Sequence, residues 1–377
     1  MPWKDVSLMQ LRHEFVTLAA QGDIPLIELC ARFGISPKTG RKWRRRFAES
    51  GQAGLANRSR RPLTSPAQTP AAMVDQIRIV AVAHPTWGGR MLHHRLTNMG
   101  LVAVPAASTI TTILQREGLR PPPLVPVRPV IRFDADAPND RWQMDFKGWK
   151  PTPAGPLIPF TVIDDHSRFL LQLEHTGLCT FAVIQALLTE LFRRYGLPWQ
   201  LQSDNGPPWG SSRPHTLTQM DVWLRRLDIR PVHGRPRHPQ SQGKIERFHR
   251  TLEADLLQHQ TFASPASAQV AMDAFRQIYN HERPHSHLGF RPPADCYRLS
   301  PRVFPEVLPA IVYDDDVEVR HVSDKGTIRY QGRTIFLSEA LQGLPVGLSP
   351  TLVDGVIRIQ FAARTWKAID LRTLPVS

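Results

Sequence analysis

Near the start of the chain, apolar residues fall at Leu8, Leu11, Phe15 and Leu18, the stripe of one amphipathic helix over residues 7–20. A second helix, residues 25–33, stops at Gly34, and Ser36-Pro37 opens a third over residues 38–48 with a serine N-cap and a proline in the first turn. Trp43 and Phe47, four apart, supply the buried side of that third helix. Three short helices with a glycine in the second turn have the spacing of a helix-turn-helix. Residues 54–70 lose all periodicity and read as a linker rich in Gly, Pro, Ser and Arg. Helical patterning returns at 70–83, 88–99 and 105–117, which predicts a second helix-turn-helix-like unit, with a plain helical spacer as the alternative. Five prolines in residues 121–133 then impose an extended connector.

Beyond the connector the period changes. Residues 141–147, 157–164 and 168–175 read as strands, followed by a helix over Phe181–Tyr195, a strand at 199–203, a helix at 216–227 and a short strand at 229–233. That order predicts a mixed five-stranded sheet with helices on its faces. A helix over 243–257 follows, with Ile245, Phe248, Leu252 and Leu256 on its buried stripe. From about residue 317 to 371, apolar and polar residues alternate between turns such as Asp324-Lys325-Gly326 and Asp354-Gly355, predicting a small C-terminal β-barrel. The division expected is therefore a helix-turn-helix domain with basic linker at 1–62, a second helical domain at 63–120, a Pro-rich linker at 121–138, an α/β core at 139–305 and the barrel at 306–377.

Charge sharpens this picture. The net formal charge is +14, and residues 1–61 hold 12 Lys/Arg against 5 Asp/Glu, whereas residues 310–377 are neutral. Basic surfaces gain affinity for nucleic acid by releasing counterions from phosphates, so DNA contact is expected at the front. The third helix carries Lys38, Arg41, Lys42, Arg44, Arg45 and Arg46, and the linker after it Arg58, Arg60 and Arg61. The bland alternative is a solvated basic helix. Three scattered cysteines form neither a disulfide framework nor a zinc site. The charged N-terminus and the lack of a long apolar run argue against export and membrane insertion, so a cytoplasmic protein is expected.

Candidate chemistry lies in three carboxylates. Asp145 is in the first core strand, Asp204 follows the fourth, and Glu246 is in the first turn of the 243–257 helix. Acidic side chains at neighbouring strand ends can share a hard divalent cation that none could hold alone. Singly, each has an ordinary explanation: an edge-strand charge, an Asp-Asn-Gly turn, a helix N-terminal acid. Asp164 and Asp165 form a second acidic pair whose placement suits a turn, with a supporting metal contact as the alternative. His281-Glu282-Arg283-Pro284-His285 spells a zinc-protease pattern, but the proline forbids the uninterrupted helix that such a site needs. Tyr279 lacks the clustered arginines of a tyrosine recombinase, and no phosphate-binding loop is present.

The stretches WQMDFKG at 142–148, SDNGPPW at 203–209 and HPQSQGKIERFHRTL at 238–252, with GISPKTGRKW upstream and YNHERPHSHLGFRPPADCY downstream, resemble the integrase-core (DDE) transposases of bacterial insertion sequences, relatives of retroviral integrases. The resemblance implies an RNase H-like core in which Asp145, Asp204 and Glu246 match the Asp, Asp and Glu metal ligands. It further implies two Mg²⁺ ions per site, with Mn²⁺ as a substitute, and cleavage of element ends followed by strand transfer into target DNA. Partners so implied are the terminal inverted repeats, target DNA and further copies of the chain on paired ends. Two departures stand out. The chain lacks a His/Cys zinc domain, and 41 residues separate Asp204 from Glu246, a spacing longer than usual for such cores, with the excess expected in the loop 207–215. Lys244 and Arg247 flank Glu246 and are expected at DNA phosphates. The rival readings are a catalytically silent DNA-binding regulator and a hydrolase of RNA–DNA hybrids; the second accounts for neither front domain.

Overall fold

The computed structural model describes residues 7–58, 68–119, 134–206, 208–210, 216–234 and 243–375. The connector at 121–133, Arg60, Arg61 and most of the loop 207–215 lie outside the described residues. The chain forms two compact units, residues 1–68 and 69–377.

In the first unit, helices α1 (Leu8–Gln21), α2 (Leu26–Arg32) and α3 (Pro37–Ser50) enclose Phe15, Val16, Leu29, Cys30, Trp43 and Leu55. Ser7 caps α1 in a capping box with Gln10, and Ser36 caps α3 ahead of Pro37, so the start signals in the sequence act where they stand. Gly34 turns the chain between α2 and α3 at φ 62°, in the left-handed region that suits glycine. Gly40 serves a different purpose: a Cβ there would lie 2.4 Å from the Cys30 sulfur and 2.9 Å from Phe15 Cζ. Its absence lets α3 seat directly on α1 and α2.

The second unit opens with α4 (Ala71–Ala83), α5 (Gly89–Asn98) and α6 (Ala107–Arg116), packed around Ile77, Trp87, Leu92, Leu96, Ile110 and Leu114. This trio lies against the core that follows it. Thr86 Oγ1 donates to Asp255 Oδ1 at 2.6 Å, Arg95 pairs with Glu282, and the His94 ring stacks on Phe290 at 4.2 Å.

The core sheet has the order β5-β4-β1-β6-β7, where β1 is Arg141–Phe146, β4 Pro159–Asp164, β5 Leu170–His175, β6 Gln200–Ser203 and β7 Arg230–His233. β1 runs antiparallel to β4 and parallel to β6, which in turn pairs parallel with β7. A small hairpin, β2 (Lys150–Thr152) and β3 (Gly155–Leu157), is inserted after β1. Alternation on the strands divides the interior in two. Trp142, Met144, Phe160 and Val162 face α7 (Phe181–Tyr195) and α8 (Gln219–Arg226), while Ile163, Leu170 and Leu173 face α9 (Gly243–Leu252) and α10 (Pro265–His281). The 243–257 helix is α9 followed by one π-turn, Glu253–Leu257. Helix α10 starts at a Ser264 capping box, buries Ala268, Met272, Phe275 and Tyr279, and uses Asn280 to clamp the Leu170 backbone at 2.8 and 3.0 Å.

The C-terminal domain is sheet-rich, as expected, but its sheets are not closed into the expected barrel among the described residues. β8 (Glu318–His321), β11 (Pro345–Pro350), β12 (Val356–Phe361) and β13 (Arg364–Asp370) make a four-stranded sheet, and β9 (Thr327–Tyr330) with β10 (Arg333–Phe336) a separate hairpin. No closed ring of strands exists among the described residues. The open interior is filled from outside instead. Leu217 and Val222, at the start of α8, join Ile328, Leu337, Val346 and Phe361 in one core, and Ser338 Oγ donates to the Leu217 carbonyl at 2.6 Å.

Candidate active site

β1 and β6 pair in parallel through Gln143 and Gln202, and two further residues along that register bring Asp145 level with Asp204. Because Trp142 and Met144 are committed to the α7 side, Gln143 and Asp145 project toward α9. Gln143 fixes α9 there: its Oε1 accepts the Ile245 N–H at 3.2 Å and its Nε2 donates to Asp165 Oδ1 at 2.8 Å. Lys244 adds ion pairs to Asp165 at 2.5 Å and Asp134 at 3.0 Å. The first turn of α9 is thus held to β1 and the β4–β5 turn, with Glu246 on its exposed side.

Like charge gathers at this point. The Asp145 carboxyl is pushed up to about 7, first by burial, then by the negative charges of Asp204 and Glu246, against the opposing effect of the Phe146 N–H that it accepts. Asp204 Oδ1 accepts the Gly206 N–H at 3.0 Å and the indole N–H of Trp209. Among the described residues no three His, Cys, Asp or Glu side chains are already closed round one point in a metal-binding cage. The donor chemistry nonetheless suits a hard cation: three carboxylates from two strands and a helix, close enough to raise the proton affinity of the innermost.

His249 completes the inner wall. It lies one turn beyond Glu246, with Nε2 3.2 Å from Thr161 Oγ1 and Nδ1 3.8 Å from Asp145 Oδ2. Thr161 is the β4 partner of Asp145, so the imidazole spans two adjacent strands. Burial, helped by Lys147, lowers its pKa to about 4, and the ring is neutral at pH 7. Sequence reasoning passed over both His249 and Trp209. The register of the α9 stripe could have flagged the histidine, since it adjoins buried Phe248.

The expected DNA-contact residues divide. Lys38, Arg41, Arg44 and Arg45 are exposed on α3, as is Arg58 after it. Lys42, also exposed, and half-buried Arg46 lie over the Trp43 ring, 4.4 and 5.3 Å from its centre, with Arg12 at 4.0 Å. Arg247 is exposed beside Glu246, but the Lys244 side chain is only 16% exposed and its ammonium neutralises buried Asp165. Lys244, expected at a DNA phosphate, pairs in this structure with Asp165 and Asp134. Asp164, the last residue of β4, holds the turn that follows, accepting from Ser167 N at 2.7 Å, Ser167 Oγ at 2.6 Å and Asn139 N at 2.8 Å. His281 is the last residue of α10, and Tyr279 is buried against Phe248, so neither the zinc pattern nor a tyrosine nucleophile takes form.

Comparison with known proteins gives family matches along most of the chain. Models of the integrase core domain match residues 135–239 and 227–293. A helix-turn-helix domain matches residues 11–62 and a homeodomain-like domain residues 39–114. The C-terminal domain of IS481 family transposases matches residues 317–376, and a protein of insertion element IS476 from Xanthomonas euvesicatoria is 27% identical over 239 residues. Together these likenesses support a bacterial insertion-sequence transposase with an integrase-like core. The IS476 alignment covers 61% of this chain and 66% of that protein. A Gag-Pro-Pol polyprotein of simian retrovirus SRV-1 is 36% identical over 119 residues, which is 32% of this chain and 6% of the polyprotein. A structure of the simian T-cell lymphotropic virus intasome in complex with PP2A regulatory subunit B56 gamma aligns with 80% of this chain and 98% of that one, at 16% identity and a TM-score of 0.39. Among the described residues no helix is long and apolar enough to cross a membrane.

Proposed function

We propose that this transposase-family chain cuts the ends of its own insertion sequence and joins them to target DNA, with Asp145, Asp204 and Glu246 as the ligands of two Mg²⁺ ions. The observation that carries this reading is the parallel register of β1 and β6, which sets Asp145 level with Asp204, with Glu246 on the first turn of α9 that Gln143 holds to β1. Divalent ions bound there would supply Lewis-acid stabilisation of the attacking and leaving oxygens of a phosphodiester. The protein's own contribution is placement. Asp145 is carried on the central strand, Asp204 on the adjoining strand end and Glu246 on a helix pinned by Gln143 and Lys244. Bound cations would offset the mutual repulsion of the three carboxylates, and His249, its pKa lowered by burial, adds no competing positive charge beside Asp145.

DNA is the substrate class that the remaining features support. Exposed Lys38, Arg41, Arg44 and Arg45 project from α3 of a helix-turn-helix, and Arg247 stands next to Glu246. Paired element ends imply more than one copy of the chain in the working assembly. The test is purified protein with DNA bearing its own element ends in Mg²⁺ or Mn²⁺, scored for nicked and joined products. Asp145→Asn, Asp204→Asn and Glu246→Gln should each abolish both products. Retention of joining by all three variants would overturn the assignment, and DNA binding without any product from the wild type would favour a silent regulator.

A further inference from the structure

Trp209 is buried to 1% exposure, five residues beyond Asp204. A buried aromatic required only for packing could be phenylalanine; a buried indole must also find an acceptor for its N–H. Here the acceptor is the Asp204 carboxylate, on the same Oδ1 that takes the Gly206 N–H at 3.0 Å. The indole ring stacks on Phe146 with centres 5.0 Å apart and planes within 15°. Phe146 follows Asp145 in β1, and its N–H donates to Asp145 Oδ1 at 2.9 Å. One side chain therefore bonds one triad carboxylate and packs against the residue that bonds the other.

Trp209 is itself held from behind. Its carbonyl accepts from Thr218 Oγ1 at 3.1 Å, and Thr218 caps α8 in a capping box with Asp221. Asp221 Oδ1 lies 2.8 Å from His233 Nε2, and His233 Nδ1 lies 3.3 Å from the carbonyl of Asp204. The hydrogen bonds close a ring that leaves Asp204 by its carboxylate and returns by its backbone. An exposed aspartate past a strand end would otherwise rotate about two torsions.

We infer that Trp209 is a positioning residue: its indole N–H orients the Asp204 carboxylate, and its stacking on Phe146 sets the Asp204 segment against β1, ordering the site before a cation arrives. This rests on the reading of Asp204 as a metal ligand. The Gly206 and Trp209 bonds both fall on Oδ1 of that carboxylate.

The experiment is Mn²⁺ titration of the full chain, followed by electron paramagnetic resonance, for wild type, Trp209→Phe and Asp204→Asn. Trp209→Phe keeps the stacked ring and removes the N–H, so it should melt near the wild type yet bind Mn²⁺ about tenfold more weakly, the usual cost of losing a partner behind a metal ligand. Wild-type affinity in a folded Trp209→Phe, with affinity lost in Asp204→Asn, overturns the positioning role alone. Wild-type affinity in Asp204→Asn overturns the ligand reading beneath it. Should Trp209→Phe not fold, ¹H–¹⁵N spectra of the indoles provide the same decision. The indole resonance that moves in Asp204→Asn must be the one that shifts when Mg²⁺ is added to the wild type; no such common resonance overturns the inference.

Discussion

Replacing Asp145 with asparagine should stabilise the metal-free protein, and the gain should depend on pH in a defined direction. In the folded chain the Asp145 carboxyl titrates near 7, against 3.8 for the unperturbed group. A raised folded pKa means that the folded state binds the proton more tightly, so ionisation works against folding and its cost grows as pH rises from 3.8 to 7. About three pKa units at 1.36 kcal/mol each set an upper estimate of about 4 kcal/mol at pH 8, falling to about 1.7 kcal/mol at pH 5 and to a few tenths near pH 3.8. Asparagine has nearly the same shape, keeps an oxygen for the Phe146 N–H and carries no charge. The assay is urea unfolding with a chelator present, wild type against Asp145→Asn, across that pH range. A variant no more stable than the wild type at pH 8, or an advantage that grows toward acid, would refute the claim that burial and its two carboxylate neighbours load this position with unfavourable charge.

Other outcomes follow from the same geometry. Lys244→Ala should cost about 3 kcal/mol in urea unfolding, because buried Asp165 loses its charge partner, whereas Arg247→Ala should leave stability nearly unchanged and weaken DNA binding. Equal loss of stability in both would contradict the separation drawn between them. Replacing Arg41, Arg44 and Arg45 together by Ala should lower DNA affinity and flatten its salt dependence, by about 0.9 in log–log slope for each phosphate no longer neutralised; an unchanged slope would move recognition elsewhere. Gly40→Ala forces a methyl against Cys30 and Phe15 and should cost about 1–3 kcal/mol, read as faster hydrogen exchange across α1–α3. Relief by a second change, Cys30→Ala, would tie the loss to that close approach.

What could be read from the chain was whatever depended on local pattern. The six front helices and the five core strands stand within a few residues of their expected places because caps, glycine stops and apolar stripes are local signals. The β2–β3 hairpin escaped because Pro151, Pro153 and Pro156 mask its alternation. Helix α10 escaped because alanine and serine dilute its stripe. Closure of the C-terminal strands into a barrel could not be judged from alternation, since it depends on which edges pair. At the site, the carboxylates were visible through the text around them, but the inward turn of Lys244 was not. It precedes the buried Ile245 and lies four residues before Phe248, at the margin of the α9 stripe, and only the position of Asp165 on another turn decides its direction. The indole bond from Trp209 to Asp204 was equally hidden, because it joins a packing residue to a charged one across a loop.

The residues around α8 complete two interiors. Trp223 and Leu224 enter the one beneath the central sheet, and Leu217 and Val222 the one beneath the C-terminal strands. On the ribosome, a chain whose final strands have not yet emerged offers Leu217 and Val222 no partner, and Ser338 is not there to hold the Leu217 carbonyl. The segment leading back through Thr218 to Trp209 and Asp204 then lacks its far anchor. Synthesis thus completes the three carboxylates well before it reaches Ser338 and the strands that anchor the α8 segment, so an interrupted translation product would bear the acidic cluster without that far support.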